Sequence, residues 1–342
     1  SKVVLGFKNP LHLAFVPVSV HLSSHYLHGP SFTGVESSHV KCSPVRVPGH
    51  LSSQGIYFPN QLRFRRVDIT DRAAVFDTIS EAQPDYVFNL AGYSHVGNSW
   101  ADEELSEQVN FLAVKHIAEA IERTRATREC DPFLFHASSS EVFGASTTVP
   151  QDEKTTFNPA TPYGFHKAHA HEFLSARRKR GDLRVGVGIL YNHESPLRPH
   201  RFVSRRISVG VARILAGLSR KLSLGNLDVK RDWGFAGDYV EAMWQIAQSE
   251  KTSDYIVASG IARKVRDLAE TAFRAVGIED WQSFVVSDPA LKRPVDPRSL
   301  VGKSEKLRRE LGWIPRTSFE DMVKMMVASD VSLLDSAGEE AK

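Results

Sequence analysis

The sequence predicts an α/β chain: a doubly wound parallel sheet with a smaller C-terminal lobe. Three observations lead there. From about residue 60, short apolar runs alternate with stretches of helical periodicity, which is the pattern of strands joined by crossover helices. The runs are bounded by Pro, Gly and Asp, as buried strands are. Beyond Asn192 the alternation loosens, as expected of a second lobe laid over the strand ends, and 342 residues suffice for both.

The elements follow in order. Val67-Asp68-Ile69-Thr70 reads as the end of a strand, and Thr70 or Asp71 can cap the helix that runs through Ala74, Val75 and Ile79. Asp85 to Leu90, between Pro84 and Gly92, reads as a buried strand. Glu103 to Arg125 reads as one long helix, with Val109, Leu112, Ile117, Ala120 and Ile121 on one face. Phe133 to Ala137 is the next strand, Tyr163 to Arg180 a helix, and Val185 to Leu190 another strand. Helices near Phe202 to Ala216 and Asp238 to Gln248, a strand at Tyr255 to Ala258 and a helix from Ser318 complete the chain. The boundaries are 1–190 for the sheet domain, with 1–60 atypical and later segments returning to it, 191–335 mainly for the lobe, and 336–342 for a frayed tail.

Bulk properties exclude several classes. A net charge of +3 is too small to imply nucleic acid. The apolar stretch from Leu11 to Leu22 is interrupted by Pro17 and His21 and is too short to span a bilayer, so no membrane role is expected. Cys42 and Cys130 form neither a disulfide framework nor a zinc spacing, and the cytoplasm is the expected compartment. Residues 1–60 stand apart, with one acid (Glu36) and six of the fourteen histidines.

The chemistry concentrates around Tyr163 and Lys167, one helical turn apart. A neighbouring ammonium favours phenolate and so is expected to lower the tyrosine pKa toward that of a base. Alone, the spacing fits a partly buried Tyr beside a solvated Lys equally well. Upstream, Ser138-Ser139-Ser140-Glu141 follows a buried strand at its carboxyl end, where open α/β sheets present groups to ligands. Those serines could simply cap the next segment. Taken with Tyr163 and Lys167, they point to chemistry.

Four further stretches carry a resemblance: Ile189 to Pro196, Phe202 to Ile207, Leu224 to Gly234 and Asp238 to Trp244. With the Ser, Tyr and Lys set they resemble the GDP-mannose 4,6-dehydratases, nucleotide-sugar dehydratases of the extended short-chain dehydrogenase/reductase family, from about Asp68 to Leu334. The resemblance implies a Rossmann-like fold, bound NADP and the conversion of GDP-mannose to its 4-keto-6-deoxy product. It implies Ser139, Glu141, Tyr163 and Lys167 as the catalytic set. Asp68, Ile69, Leu90, Ala91, Gly92, Ser94, His193 and Arg198, together with Tyr163 and Lys167, would contact NADP. Asn192, Arg206, Arg231, Arg293 and Asp296 would contact the substrate, with arginine gripping a diphosphate. Tyr93, where Gln is usual, and Leu105, where an aromatic is usual, depart from the pattern. A homo-oligomer, dimer or tetramer, is implied as well.

One departure is larger. Families of this kind begin with a strand and a Gly-x-x-Gly-x-x-Gly turn, because only glycine lets the backbone approach a pyrophosphate. Val3-Val4-Leu5-Gly6 could be that strand, but Asn9 and His12 take the next two glycine places. Three accounts stand open: loss of the cofactor, a frame change in the coding sequence, or cofactor binding without the turn. The alternatives to the dehydratase are therefore a related epimerase or decarboxylase, or a catalytically silent sugar-nucleotide-binding homologue. His166, His169 and His171 lack a spacing that gathers ligands on one face, so they are expected as surface histidines and no metal is expected. Arg205 and Arg206 would by themselves be a solvated helix face, Arg231 and Asp232 an ion pair, and Arg177 to Arg180 solvated charges at a helix C-terminus.

Overall fold

Four parallel strands built from the apolar runs form the centre of the molecule. The computed structural model describes residues 3–6, 65, 67–94, 96–127, 130–291 and 299–339. In chain order the first half holds β1 (Val3–Gly6), α1 (Arg72–Ala82), β2 (Tyr86–Asn89), α2 (Glu103–Glu107), a π-helical turn (Gln108–Leu112), α3 (Ala113–Thr127), β3 (Phe133–Ser139), α4 (Pro162–Lys179) and β4 (Val185–Leu190). The second half holds β5 (Asn192–Glu194), α5 (Val203–Leu215), β6 (Leu222–Leu224), β7 (Lys230–Phe235), α6 (Ala236–Gln248), β8 (Asp254–Val257), β9 (Ala262–Lys264), α7 (Val265–Arg274), β10 (Val285–Ser287), α8 (Glu305–Leu311) and α9 (Phe319–Glu339).

The main sheet has the order β1-β2-β3-β4-β8, with β2, β3, β4 and β8 parallel. Successive strand residues point to opposite faces, and both faces are covered. Val87 and Leu134 face α1, α3 and α4, packing with Val75, Ile79, Ile117 and Leu174. Phe88 and Phe135 face α6 and α8, packing with Tyr239, Met243, Ile246 and Leu307. A separate core joins α5, α7 and α9 around Ile207, Val211, Leu268, Phe273, Met322 and Val327. Within it the buried Arg205 pairs with Asp330 at 2.6 Å, tying α5 to α9, and also donates to the Pro196 carbonyl. No helix among the described residues is long and apolar enough to cross a membrane.

Several expectations are corrected. Val3–Gly6 is a strand, but it runs antiparallel to β2 with Gly6 opposite Tyr86, at the amino end of β2. Gly6 thus lies at the end of the sheet opposite to the one where ligands bind, and it is not the first glycine of a dinucleotide turn. Asn9 and His12 lie outside the described residues. Val67–Thr70 is a turn, because the Asp68 carboxylate takes both the N–H and the hydroxyl of Thr70, at 2.9 and 2.8 Å. The long helix is interrupted by the π-helical turn at Gln108–Leu112. The last helix continues through Ser336 to Glu339. His166 and His171 are buried, packed under neighbouring elements. Arg205 is buried too, and Arg178 is held by Asp254 at 2.7 and 2.8 Å instead of being solvated.

Candidate active site

The site forms at the carboxyl ends of β2 and β3, where the first turn of α4 arrives. Thr161 caps α4 by accepting the Gly164 N–H at 3.1 Å, and Pro162 occupies the first turn, where a missing N–H costs nothing. Gly164 lets that turn lie directly on the loop after β3, since a Cβ there would stand 2.5 Å from the Glu141 carbonyl oxygen. This contact brings Tyr163 over Ser139 and Glu141. The Ser139 hydroxyl accepts the Glu141 N–H at 3.3 Å and hydrogen-bonds the Tyr163 phenol. The Glu141 side chain is buried, and its charge acts on the same phenol.

The electrostatics differ from expectation. Burial pushes the Tyr163 phenol up to about 12; its bond to Ser139 lowers it, the Glu141 charge raises it, and the Arg198 charge lowers it. Lys167 is buried as well. Its ammonium donates to the Ala137 carbonyl at 2.9 Å, on the neighbouring strand, and burial pushes it down to about 8. Arg198 is fixed by the buried Glu194 at 3.1 Å and lies 3.6 Å from the centre of the Phe202 ring. Glu194 is itself held by the Ser204 hydroxyl at 2.6 Å.

Of the residues expected at a cofactor, Leu90 to Ser94 leave the carboxyl end of β2, and Gly92 passes over Lys167: a Cβ there would be 3.6 Å from its Nζ. His193 on β5 bonds the Tyr191 carbonyl at 2.9 Å and stacks on Tyr239, and burial pushes its imidazole down to about 4. Asp68 and Ile69 sit in the turn before α1, and no contact among the described residues joins them to Tyr163. Of the residues expected at a substrate, Asn192 donates to the Asp232 carbonyl at 3.3 Å, and Arg231 is buried on β7 with its guanidinium on the Lys230 carbonyl. Among the described residues the Asp232 carboxylate accepts from Ser259, Gly260 and Gly302, joining β7 to the loop after β8 and to the segment before α8. Arg206 lies half-buried on α5, and Arg293 and Asp296 lie outside the described residues. Among the described residues no group of three or more His, Cys, Asp or Glu could hold a metal ion.

Sequence reasoning missed three buried polar residues around Lys167: Asn89, Asn110 and His136. Asn110, in the π-helical turn, grips Tyr93 through both its N–H, at 3.1 Å, and its carbonyl, at 3.3 Å. The available signal was a polar residue inside an otherwise apolar strand, Asn in Tyr86–Asn89 and His in Phe133–Ser139.

A family model described as GDP-mannose 4,6 dehydratase matches residues 39–326. The chain belongs to the GDP-mannose 4,6-dehydratase family. Relatives in it include GDP-mannose 4,6 dehydratase 2 of Arabidopsis thaliana, 39% identical over 272 residues, covering 80% of this chain and 72% of the relative. The human GDP-mannose 4,6 dehydratase is 35% identical over 283 residues, covering 78% and 76%. Among solved structures, RMD from Pseudomonas aeruginosa complexed with NADPH aligns with a TM-score of 0.70 at 25% identity, over 79% of this chain and 87% of that one. A Thermus thermophilus UDP-glucose 4-epimerase in complex with NAD shares the fold, with a TM-score of 0.69 at 23% identity over 82% of this chain and 93% of that one.

Proposed function

We propose that this chain is an NADP-dependent lyase that converts GDP-mannose to GDP-4-keto-6-deoxymannose and water. The observation that carries the reading is the Tyr163 phenol at the end of β3, bonded to Ser139 and acted on by the charge of the buried Glu141. Family membership supplies the substrate and cofactor classes.

The nicotinamide end of the cofactor fits the residues present. The Lys167 ammonium uses one donor on Ala137 and keeps two more for ribose hydroxyls, and Gly92 leaves the approach to it open. When bound, NADP supplies the hydride acceptor and donor that make the overall reaction redox-neutral. Ser139 holds the sugar oxygen at carbon 4, and Tyr163 takes its proton as the ketone forms. The Glu141 carboxylate removes the carbon 5 proton, which the ketone has acidified, and the carbon 6 hydroxyl leaves as water. Arg198, braced by Glu194 and Phe202, is the protein's cation favouring Tyr163 ionisation. Asn192, Arg206, Arg231, Arg293 and Asp296 are assigned to the sugar nucleotide, and residues 191–335 mainly to its lobe. A homo-oligomer, dimer or tetramer, in the cytoplasm completes the reading; family membership supports the first, and the free Cys130 fits the second.

A second reading, a catalytically silent sugar-nucleotide binder, is favoured by the antiparallel β1. Incubating the purified chain with GDP-mannose and NADP and resolving the products by HPLC separates the two. The expected product is the 4-keto-6-deoxy sugar nucleotide, with Glu141→Gln slower by about 10²–10⁴-fold. Unchanged GDP-mannose in every sample would leave the silent reading standing.

A further inference from the structure

Strands β2 and β3 pair so that Asn89 lies directly opposite His136, the two being Cα partners in the ladder. Both side chains are buried and meet, Asn89 Nδ2 to His136 Nδ1 at 3.2 Å. The other end of the Asn89 amide accepts the Ala91 N–H at 3.3 Å. A backbone N–H can only donate, so that bond fixes which end of the amide is oxygen. Nδ2 is then the donor toward His136, Nδ1 the acceptor, and a neutral imidazole must carry its proton on Nε2.

His136 and the next residue therefore both bear on the surroundings of the Lys167 ammonium. Its side chain fixes the Asn89 amide, which fixes the backbone at Ala91 as the chain turns into Gly92. The carbonyl of Ala137 holds the ammonium itself at 2.9 Å. Gly92 and Lys167 are already close, 3.6 Å from an ideal Cβ to Nζ, so a small shift of this turn changes the space at the ammonium. Removing the acceptor at position 136 would leave a buried amide donor unpaired and would free Asn89 to release Ala91.

We propose that His136 is a positioning residue for the reaction, its imidazole locking the Ala91–Gly92 turn against Lys167 through Asn89. The kinetic part rests on the dehydratase reading. Burial, with Lys167 and His171 of α4 as the charged or titratable neighbours that face it, keeps the imidazole neutral. Neutrality is what lets Nδ1 accept.

Two measurements test this. The ¹⁵N NMR spectrum of the intact wild-type chain is expected to show His136 as the Nε2–H tautomer, unchanged across neutral pH; an Nδ1–H tautomer overturns the proposal. In kinetics, His136→Leu is expected to lower kcat by about tenfold or more through misplacement at the site, with KM for GDP-mannose within about twofold. His136→Gln, which offers Asn89 an amide oxygen, is expected to restore most of that loss. A folded His136→Leu with wild-type kcat, or a His136→Gln as slow as the Leu variant, overturns it. If His136→Leu does not fold, the tautomer and the Gln variant still decide. A wild-type chain that forms no 4-keto-6-deoxy product counts against the dehydratase reading, and the tautomer then decides the geometry alone.

Discussion

Lys167 shows how much one buried side chain depends on its surroundings. The Tyr163 and Lys167 spacing was legible, but the contact made by the ammonium was not. It reaches to the Ala137 carbonyl on β3, and burial weakens its hold on its proton. If the ammonium is the working form, kcat/KM should fall as pH rises through about 8, because kcat/KM reports the free enzyme and the charged form is present below that value. A basic limb near the usual lysine range of about 10.4 would show that another group limits the rate. Ser139 and Glu141 were legible by their place after a buried strand. Their meeting with Tyr163 was not, since it depends on Gly164 letting α4 settle on the Glu141 backbone. His136 went unread because a polar residue in an apolar run does not disclose its partner on the next strand.

At the scale of elements, α4 does two things at once. Its first two turns deliver Tyr163 and Lys167, and its middle and last turns anchor it to the far edge of the sheet. There the Asp254 carboxylate on β8 takes Arg178 at 2.7 Å and His171 at 3.3 Å. Burial alone would raise this carboxyl, but the bonds from His171 and Arg178 outweigh it and hold it well below the usual carboxylate range. A depressed carboxylate adds stability above the unfolded value of about 3.9 and loses it as pH falls through the folded value. Asp254→Asn is therefore expected to destabilise the chain by about 2 kcal/mol near pH 7, with the gap to wild type closing below about pH 4. Urea denaturation at both pH values checks this; a gap that persists in acid would mean that packing, not charge, holds α4. The helices themselves were legible from periodicity and caps. Periodicity does not say what covers a face, so His166, His171 and Arg178, read as solvated, are found between layers. The π-helical turn was equally hidden, since Gln108–Leu112 keeps helical composition while Asn110 is drawn to Tyr93.

For the whole molecule, the test is whether the chain takes up its cofactor. A ligand that binds only the folded state at a hundredfold excess over its Kd stabilises by about 2.7 kcal/mol. NADPH in such excess should raise Tm by several degrees, read by scanning calorimetry; no shift at millimolar NADPH would overturn the cofactor assignment and favour the silent binder. The alternation of strands and helices and the family were determined by the sequence alone, because periodicity and rare motifs survive without knowledge of contacts. Strand direction and partner choice were decided only in three dimensions. Val3–Gly6 reads as a first strand in any alignment of letters, yet its pairing with β2 runs the other way. The charge of Arg198, far along the chain from Tyr163, lowers the phenol's pKa because a cation's influence follows distance through space, which spacing along a chain does not record.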